Sequence, residues 1–296
     1  MPSKILAIGE IMLEMADVGG GLFKRSFAGD TFNVAHYLNA VTSGRLTADY
    51  LTALGEDEQS RECLAFMEAH GVSTARCLID PTRTVGLFIL SNDDKGEKQY
   101  GYWRGQSAAR HVFDQPRDLS GYDLVYFSGI TAAITAGKDN FLHSLRGVKQ
   151  AGGRIAYDYN HRVKLWSQND ALLFAEKITP IADLIKISDE ELELLYPDRG
   201  MSDLSNAAPE ANWVLTCGGE KGEVWRGGTL IAHQEFDAVE TVIDSSAAGD
   251  SFIASYIAAE ILGQDVQAGL QLGHKVASQV VLGKGSIVPI KMEKLG

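Results

Sequence analysis

The chain has 296 residues, of which 45% are hydrophobic and 22% are charged, with a formal net charge of −12. This ordinary globular balance allows one large α/β core with a small appendage over residues 1–296. So acidic a surface repels nucleic acid, so we expect no nucleic-acid partner. No apolar run approaches the roughly 20 residues that span a membrane, so we expect no membrane association. The 3 cysteines are scattered and form no CxxC pair, which argues against zinc and disulfide bonds and, without a signal peptide, predicts a cytoplasmic protein.

Short apolar runs alternate with helical-period segments, which predicts a mostly parallel sheet with helices on both faces. The predicted strands are Ile5–Ile8, Leu51–Leu54, Leu124–Ser128, Arg154–Asp158, Leu184–Ile187, Trp213–Cys217 and Glu223–Arg226. The predicted helices include Phe32–Val41, Glu62–His70, Asn140–Gln150 and Asp189–Tyr196. Ligands of such sheets bind at the carboxyl ends of the strands, so polar residues that follow these runs are candidate site residues.

Four extended segments interrupt this order and predict a second, smaller β-sheet. They are Ile11–Met15, Leu22–Phe27, Thr84–Ser91 and Lys98–Trp103. The glycines Gly19–Gly21 and the turn residues Asn92–Glu97 connect them in pairs. The sheet is interpreted either as a surface hairpin or as a lid, formed by about residues 11–27 and 84–104, over an active site.

The first polar cluster in chain order lies before the predicted helix Phe32–Val41. Gly29 permits a sharp turn, and Asp30 and Asn33 lie about one helical turn apart. Their carboxylate and amide groups suit the hydroxyl groups of a sugar. The alternative is that Asp30 only caps the helix.

A second cluster lies on the last strand of the small sheet. Because side chains alternate along a strand, Tyr100, Tyr102 and Arg104 share one face. A guanidinium group binds a carboxylate with two hydrogen bonds, whereas a neutral sugar needs no cation. Arg104, together with Arg162, therefore favours a sugar acid over a neutral sugar.

Two further segments follow strands of the main sheet. Asn160 and Arg162 come after a predicted strand, where ligand sites of such sheets form. The alternative interpretation is that Trp166 is a core residue and Arg162 a surface charge. The segment Thr216–Gly222 is a glycine-rich turn between two strands, a pattern that ordinary hairpins share. No GxxxxGK[ST], GxGxxG or HExxH motif is present.

The segment Asp244–Phe252 carries the chemistry. Its small residues precede an apolar helix, Ser251–Leu262, that ends at Gly263. Small side chains let a phosphate approach the backbone, and the N–H groups and dipole of a helix start favour an anion. Asp250 should remain ionised there and can accept a hydroxyl proton beside the anion hole. The alternative is an N-capped core helix without a ligand.

In this order the segments resemble the ribokinase/PfkB family of carbohydrate kinases from Ile5 to about Pro289. The resemblance implies a ribokinase-like three-layer α/β/α fold, a mostly parallel sheet, a small β-sheet lid and a homo-oligomer of two or more copies. Within the family the chain is most similar to kinases that phosphorylate 2-keto-3-deoxygluconate to its 6-phosphate. ATP and Mg²⁺ are then the expected cofactors, with a monovalent cation such as K⁺ as a further candidate. A fructokinase, a ribokinase and a non-catalytic sugar- or nucleotide-binding protein are the alternatives.

The resemblance also implies roles for individual residues. Asp250 would deprotonate the sugar hydroxyl, with Ala247, Ala248 and Gly249 as the anion hole, and Glu191 would organise magnesium indirectly. The residues expected to hold the sugar acid are Gly29, Asp30, Asn33, Phe88, Tyr102, Arg104 and Arg162, besides Asp250. The residues expected around ATP, besides the anion hole, are Asn160, Arg162, Ser188, Thr216, Gly218, Gly219, Gly222, His274 and Ser278.

The sequence departs from the family pattern at several of these positions. Ala28 and Ala247 stand where the family often has glycine, and Ser188 stands where asparagine opens the magnesium motif. Phe88 replaces a tyrosine that often faces the substrate, and Tyr100 is the candidate to supply the missing hydroxyl.

Overall fold

The computed structural model of the chain describes residues 3–92, 98–237, 239 and 241–294. The strands are β1 Lys4–Ile8, β2 Met12–Gly19, β3 Leu22–Ala28, β4 Thr47–Leu51, β5 Ala53–Gly55, β6 Leu78–Asp80, β7 Gly86–Asn92, β8 Lys98–Trp103, β9 Leu124–Ser128, β10 Arg154–Asp158, β11 Leu184–Ser188, β12 Asn212–Cys217, β13 Lys221–Arg226 and β14 Thr229–Glu235. The α-helices are α1 Asp30–Val41, α2 Glu58–Ala69, α3 Gly129–Ile134, α4 Lys138–Gln150, α5 Gln168–Ile178, α6 Asp189–Leu195, α7 Met201–Ala207, α8 Ala248–Ile261 and α9 Val266–Val280. Short 3₁₀ helices lie at Ala108–His111, Thr179–Ile181 and Met292–Lys294.

The main sheet runs in the order β14-β13-β12-β11-β10-β9-β1-β4. Within this sheet, neighbouring strands among β4, β1, β9, β10, β11 and β12 pair in parallel. The β12–β13 and β13–β14 pairs are antiparallel. The predicted mostly parallel sheet is therefore confirmed. Because parallel strands end at the same edge, the residues that follow β1, β9, β10, β11 and β12 meet there.

Helices cover both faces of this sheet, as predicted. Phe141 of α4 and Phe174 of α5 belong to the core on one face, to which α3, α6 and α7 also contribute. Phe32 of α1 and Ile257 of α8 belong to the core on the other face, with α2 and α9. The three-layer α/β/α arrangement is confirmed, and it buries apolar side chains on both faces of the parallel strands. None of the described helices has the length and hydropathy of a membrane span.

The predicted smaller sheet also forms, in the order β3-β2-β7-β8. One face packs partly against α2, where the Phe27 and Phe66 rings are tilted by 49° with their centroids 5.4 Å apart. Arg25 forms an ion pair of 2.6 Å with Glu62 beside that contact. The turn predicted within Asn92–Glu97 falls on residues 93–97, which lie outside the described ranges.

One expected strand needs correction, and some elements were not predicted. The predicted strand Leu51–Leu54 spans the end of β4 and the start of β5, because the strand beside β1 is the half-polar segment Thr47–Leu51. The edge strand β14 and the helices α5 and α9 were not predicted. β14 is largely exposed and carries polar side chains, so it lacks the apolar run that marks a buried strand.

Candidate active site

Three adjoining cavities open at the carboxyl edge of the main sheet. The lid cavity, about 510 Å³, lies under the small sheet and includes Asn33 and Tyr102. The middle cavity, about 410 Å³, includes Lys186, and the hairpin cavity, about 500 Å³, lies beside the β12–β13 turn and includes His274. Arg162, Ala247 and Asp250 border both the lid and the middle cavities. Ser188, Thr216, Ala248 and Gly249 border both the middle and the hairpin cavities, so the three form a continuous groove.

Asp250 lies in the first turn of α8, where the lid and middle cavities meet. Its Oδ2 atom accepts a hydrogen bond of 2.8 Å from Asn33 Nδ2. Burial, and then the nearby charge of Asp30, raise the pKa of Asp250 to about 7, while the bond from Asn33 opposes the shift. Burial thus outweighs the hydrogen bond from Asn33, and the carboxyl group ionises less readily than the sequence led us to expect. A carboxylate with a pKa near 7 can both accept and release a proton.

The small residues before Asp250 form the start of α8. Ala247 caps the helix with a φ of 60°, in the left-handed region that favours glycine. The Ala248 N–H already donates to the Ser245 carbonyl at 3.2 Å. The first-turn N–H groups of an α-helix have no intrahelical acceptor, so those at Gly249 and Asp250 remain suited to an anion.

Asp30, in the first turn of α1, is held by Ser128 at the end of β9 and by Asn160 in the segment after β10. Its Oδ2 atom accepts hydrogen bonds from Ser128 Oγ at 2.5 Å and from Asn160 Nδ2 at 2.9 Å. The cap of α1 is Gly29, so the interpretation of Asp30 as a capping residue was wrong. Gly29 has an extended φ of −171°, and a Cβ atom there would lie 2.3 Å from the Glu10 carbonyl oxygen. The glycine is thus required for close approach, not for the sharp turn that we expected.

Aromatic rings line the lid cavity from the small sheet. Phe88, opposite Tyr102 on the neighbouring strand, lies 6.0 Å from the Tyr102 ring and 6.2 Å from the Tyr100 ring. All three border the cavity, as does Arg104 at the end of β8. The Arg104 guanidinium is already engaged in a buried ion pair with Glu10.

The segment after β10 contributes to two cavities. Asn160 has a φ of 33°, a conformation that asparagine tolerates better than most residues. Trp166 is buried, as the core interpretation predicted. Arg162 is exposed, yet it borders both the lid and the middle cavities, so its charge faces the site as well as solvent.

A buried ion pair lies at the floor of the middle cavity. Lys186 Nζ donates to Asp158 Oδ1 at 3.0 Å, and the Tyr126 hydroxyl donates to Asp158 Oδ2 at 3.3 Å. Burial opposes the charge of Lys186, but the carboxylates of Asp158 and Glu191 raise its pKa above the usual value. Lys186 therefore stays a cation beside the start of α8.

Ser188 and Glu191 form a capping box at the start of α6. Glu191 Oε2 accepts from the Ser188 N–H at 2.9 Å, and Oε1 accepts from the His161 N–H at 2.6 Å. Both carboxylate oxygens are thus engaged by the backbone. No group of three or more His, Cys, Asp or Glu side chains in the described ranges is arranged to hold a metal ion. With both oxygens bonded to the backbone, Glu191 could contribute to a metal site only indirectly.

The hairpin cavity has an aromatic wall and a glycine turn. His274 stacks on Phe236 with centroids 4.0 Å apart, and Ser278 Oγ lies 3.2 Å from His274 Nε2. Burial lowers the pKa of His274, so the ring is neutral near pH 7. Gly218 and Gly219 both have positive φ values and border the cavity with Thr216. Such a slot suits a flat heterocycle.

Gly222 is the expected site residue that the structure does not bring to the groove. It lies in β13 opposite Thr216, and a Cβ atom there would meet Leu270 at 3.1 Å and Phe236 at 3.3 Å. Its expected contact with the nucleotide needs correction, because this glycine packs behind the Phe236 ring instead of lining the cavity.

The sequence analysis missed Glu10, Ser128, Lys186 and Phe236. Glu10 and Ser128 lie at the carboxyl ends of β1 and β9, so the rule that singled out Asn160 and Arg162 was enough to find them. Lys186 interrupts the apolar strand Leu184–Ser188, and a buried lysine requires a charge partner. Phe236 carries no local signal.

Comparison with known proteins places these features in a family. The sequence model of the pfkB family of carbohydrate kinases matches residues 3–293. The 2-dehydro-3-deoxygluconokinase of Escherichia coli is 30% identical over 306 residues, covering 98% of each chain, and that of Dickeya dadantii is 30% identical, covering 97% of each. The crystal structure of the Thermotoga maritima 2-dehydro-3-deoxygluconokinase superposes with a TM-score of 0.84 at 19% identity, covering 99% of this chain and 98% of that one. The aminoimidazole riboside kinase of Salmonella enterica, complexed with aminoimidazole riboside and an ATP analog, superposes with a TM-score of 0.80 at 18% identity, covering 99% and 97%.

Proposed function

Because the chain belongs to the pfkB family of carbohydrate kinases, and is thus a phosphotransferase with an alcohol acceptor, we propose that it transfers a phosphoryl group from ATP to the 6-hydroxyl of 2-keto-3-deoxygluconate. The observation that carries the acidic substrate is Arg162, an exposed guanidinium that borders both the lid cavity and the middle cavity. A carboxylate in the lid cavity would find a charge-assisted partner there. The two curated 2-dehydro-3-deoxygluconokinases at 30% identity support the same substrate.

Asp250 is proposed as the general base. Its position between the two cavities suits a sugar hydroxyl on one side and a phosphoryl group on the other. Asn33 holds the carboxylate in orientation through the 2.8 Å hydrogen bond. Asp30, which also borders the lid cavity, would accept a hydrogen bond from another sugar hydroxyl. A pKa of about 7 matches the task, since a base works best when its pKa lies near the operating pH.

The middle cavity would hold the transferred phosphoryl group. The free N–H groups at the start of α8, the Lys186 ammonium and the Arg162 guanidinium all place positive charge around it. Lys186 is already fixed by Asp158, so it needs no rearrangement during the reaction. Magnesium, when bound with ATP, would neutralise phosphate charge, and Glu191 would order the surrounding loop.

The hairpin cavity is proposed to hold the adenine ring between the Phe236–His274 wall and the Gly218–Gly219 turn. The small sheet would close over the sugar and limit hydrolysis of ATP by water. A requirement for K⁺ remains a proposal that rests on the family alone.

We further propose a cytoplasmic homo-oligomer. Cys63, Cys77 and Cys217 are free thiols, a state that a reducing compartment preserves. Phe23 and Trp103 leave 43% and 60% of their surfaces exposed on the small sheet, which favours a contact there between two copies. Sedimentation at several protein concentrations tests the oligomeric state.

The test of the function is a coupled assay of ADP release. It compares 2-keto-3-deoxygluconate, its galactonate epimer, fructose, ribose and nucleosides at equal concentrations. We expect the two sugar acids to exceed the neutral sugars in kcat/KM by at least about tenfold, the scale of one charge-assisted hydrogen bond. Equal or faster turnover of fructose would refute the sugar acid as the substrate.

One observation favours a second candidate, a kinase of a neutral sugar in the same family. Arg104 is compensated by Glu10, so only Arg162 among the expected sugar-binding residues offers an uncompensated guanidinium to the lid cavity. The same assay separates the two candidates, because a neutral-sugar kinase would prefer fructose or ribose.

A further inference from the structure

We propose that Glu10 is a positioning residue that holds Arg104 in the wall of the lid cavity and thereby sets the affinity for the sugar. The choice of 2-keto-3-deoxygluconate as the test substrate rests on the proposed function, whereas the pairing itself does not. Neither the motifs in the sequence nor the expected site residues include Glu10.

Both residues lie in segments where the chain passes between the small sheet and the rest of the protein. Glu10 lies between β1 of the main sheet and β2 of the small sheet, and Arg104 directly follows β8, where the chain leaves the small sheet. Their side chains are 1% and 8% exposed and form an ion pair. Both border the lid cavity, so the pair lies at its edge and not in a separate core.

The other two passages of the chain between the sheets also touch Glu10. A Cβ atom at Gly29, where β3 leads into α1, would lie 2.3 Å from the Glu10 carbonyl oxygen. A Cβ atom at Gly86, where β7 begins, would lie 2.7 Å from Glu10 Oε1. Glycine at position 29 leaves room for the Glu10 backbone, and glycine at position 86 leaves room for its carboxylate. The Glu10 side chain is thus packed between the segments that contain Gly86 and Arg104.

The burial of the pair determines what each partner can do alone. A charged group that loses its partner in a low-dielectric environment must move to water or find another counter-ion. Without Glu10, we expect the long Arg104 side chain to leave the cavity wall for solvent. The Arg104 guanidinium carbon now lies 5.7 Å from the centre of the Tyr102 ring, so that ring loses a neighbour as well.

The pair should therefore affect the sugar and not the nucleotide. Glu10 and Arg104 border the lid cavity, whereas the hairpin cavity is bordered by a separate set of residues around Phe236 and His274. A defect confined to the KM of the sugar distinguishes positioning from a general loss of structure, which would change both KM values.

The experiment is a double-mutant cycle of Glu10→Ala and Arg104→Ala, with steady-state kinetics for both substrates. Each single variant should raise the KM of the sugar at least about tenfold and leave the KM of ATP within about twofold. The double variant should be no worse than Arg104→Ala, because Glu10 acts only through Arg104. Glu10→Gln, which keeps the shape and a hydrogen-bond acceptor, should recover part of the loss.

Glu260→Ala is the matched control, because Glu260 forms an ion pair of 2.7 Å with Arg154 away from the lid cavity and should leave both KM values unchanged. Thermal unfolding checks that every variant is folded. The double variant buries no unpaired charge, so it can still be measured if one of the single variants unfolds. Sugar KM values for Glu10→Ala equal to those of the control, or losses that multiply in the double variant, would overturn the proposal. If the wild-type enzyme prefers a neutral sugar, the proposed substrate fails, and the cycle is measured with that sugar instead.

Discussion

Asn33 Nδ2 donates a 2.8 Å hydrogen bond to Asp250 Oδ2, across 217 residues of sequence. The bond joins the first turn of α1 to the first turn of α8, and both turns lie at the carboxyl edge of the main sheet. It favours the ionised form of Asp250, against burial and the charge of Asp30. The proton affinity of the proposed base is therefore set by residues from both ends of the chain.

Asp250→Asn should lower kcat by about a thousandfold, the usual scale for removal of a general base, because the amide cannot accept the hydroxyl proton. The KM values should change little, since the amide keeps the shape of the side chain. Asp139→Asn, which alters an acidic residue in the first turn of α4, is the control and should retain full turnover. Undiminished kcat in Asp250→Asn would exclude the base.

The pH profile of kcat/KM should follow the ionisation of Asp250. Its pKa is raised to about 7, and a base works only when deprotonated, so activity should fall about tenfold per pH unit below pH 7 and level off above it. Asp30→Asn removes a like charge, which should lower the pKa of Asp250 and move the inflection to lower pH. Asn33→Ala should move it to higher pH. An inflection that stays in place in both variants would contradict this account.

Ala247→Gly should stabilise the protein. The φ of 60° costs an L-residue about 1–2 kcal/mol, whereas glycine adds about 0.4–1 kcal/mol of unfolded-state entropy, so the net gain is about 0.5–1 kcal/mol. Ala248→Gly, at the next position within α8, should destabilise, because glycine weakens a helix. Urea unfolding measures both changes, and the same sign for the two variants would refute the argument.

Lys186→Met should reduce kcat/KM for ATP by about a hundredfold, as expected for loss of a fixed cation beside the phosphoryl group. It should also cost about 3 kcal/mol of unfolding free energy, because Asp158 is then buried without its partner. The double variant Lys186→Met/Asp158→Asn should regain much of the stability and none of the activity. Recovery of activity together with stability would show that Lys186 has only a structural role.

Arg162→Ala should raise the KM of the sugar acid at least about tenfold and leave that of fructose nearly unchanged, because only the acid carries a carboxylate. Arg162→Lys keeps the charge and should be intermediate, since an ammonium group cannot form the paired hydrogen bonds. The comparison needs only initial rates at several sugar concentrations. Equal losses for acid and neutral sugars would assign Arg162 to the phosphates alone.

Much of the architecture could be predicted from the sequence. The strands Leu124–Ser128 and Arg154–Asp158 were predicted with the bounds they have in the structure, because a strand buried on both faces is an apolar run with clear ends. Asp30, Asn33 and Asp250 were singled out from short segments whose spacing carries a signal, and the structure brings the three to one cavity. Local patterns of this kind depend only on neighbouring residues.

The contacts between those segments were decided by the tertiary structure alone. Glu10 meets Arg104 only because the segments between β1 and β2 and after β8 connect the two sheets at one place. Lys186 meets Asp158 only because β10 and β11 are neighbours. Similarly, the sequence predicted an ionised Asp250, whereas its pKa depends on burial and on the distance to Asp30. Burial and Coulomb energy depend on separation in space, so the residue types were determined by the sequence and their proton affinities and partners by the fold.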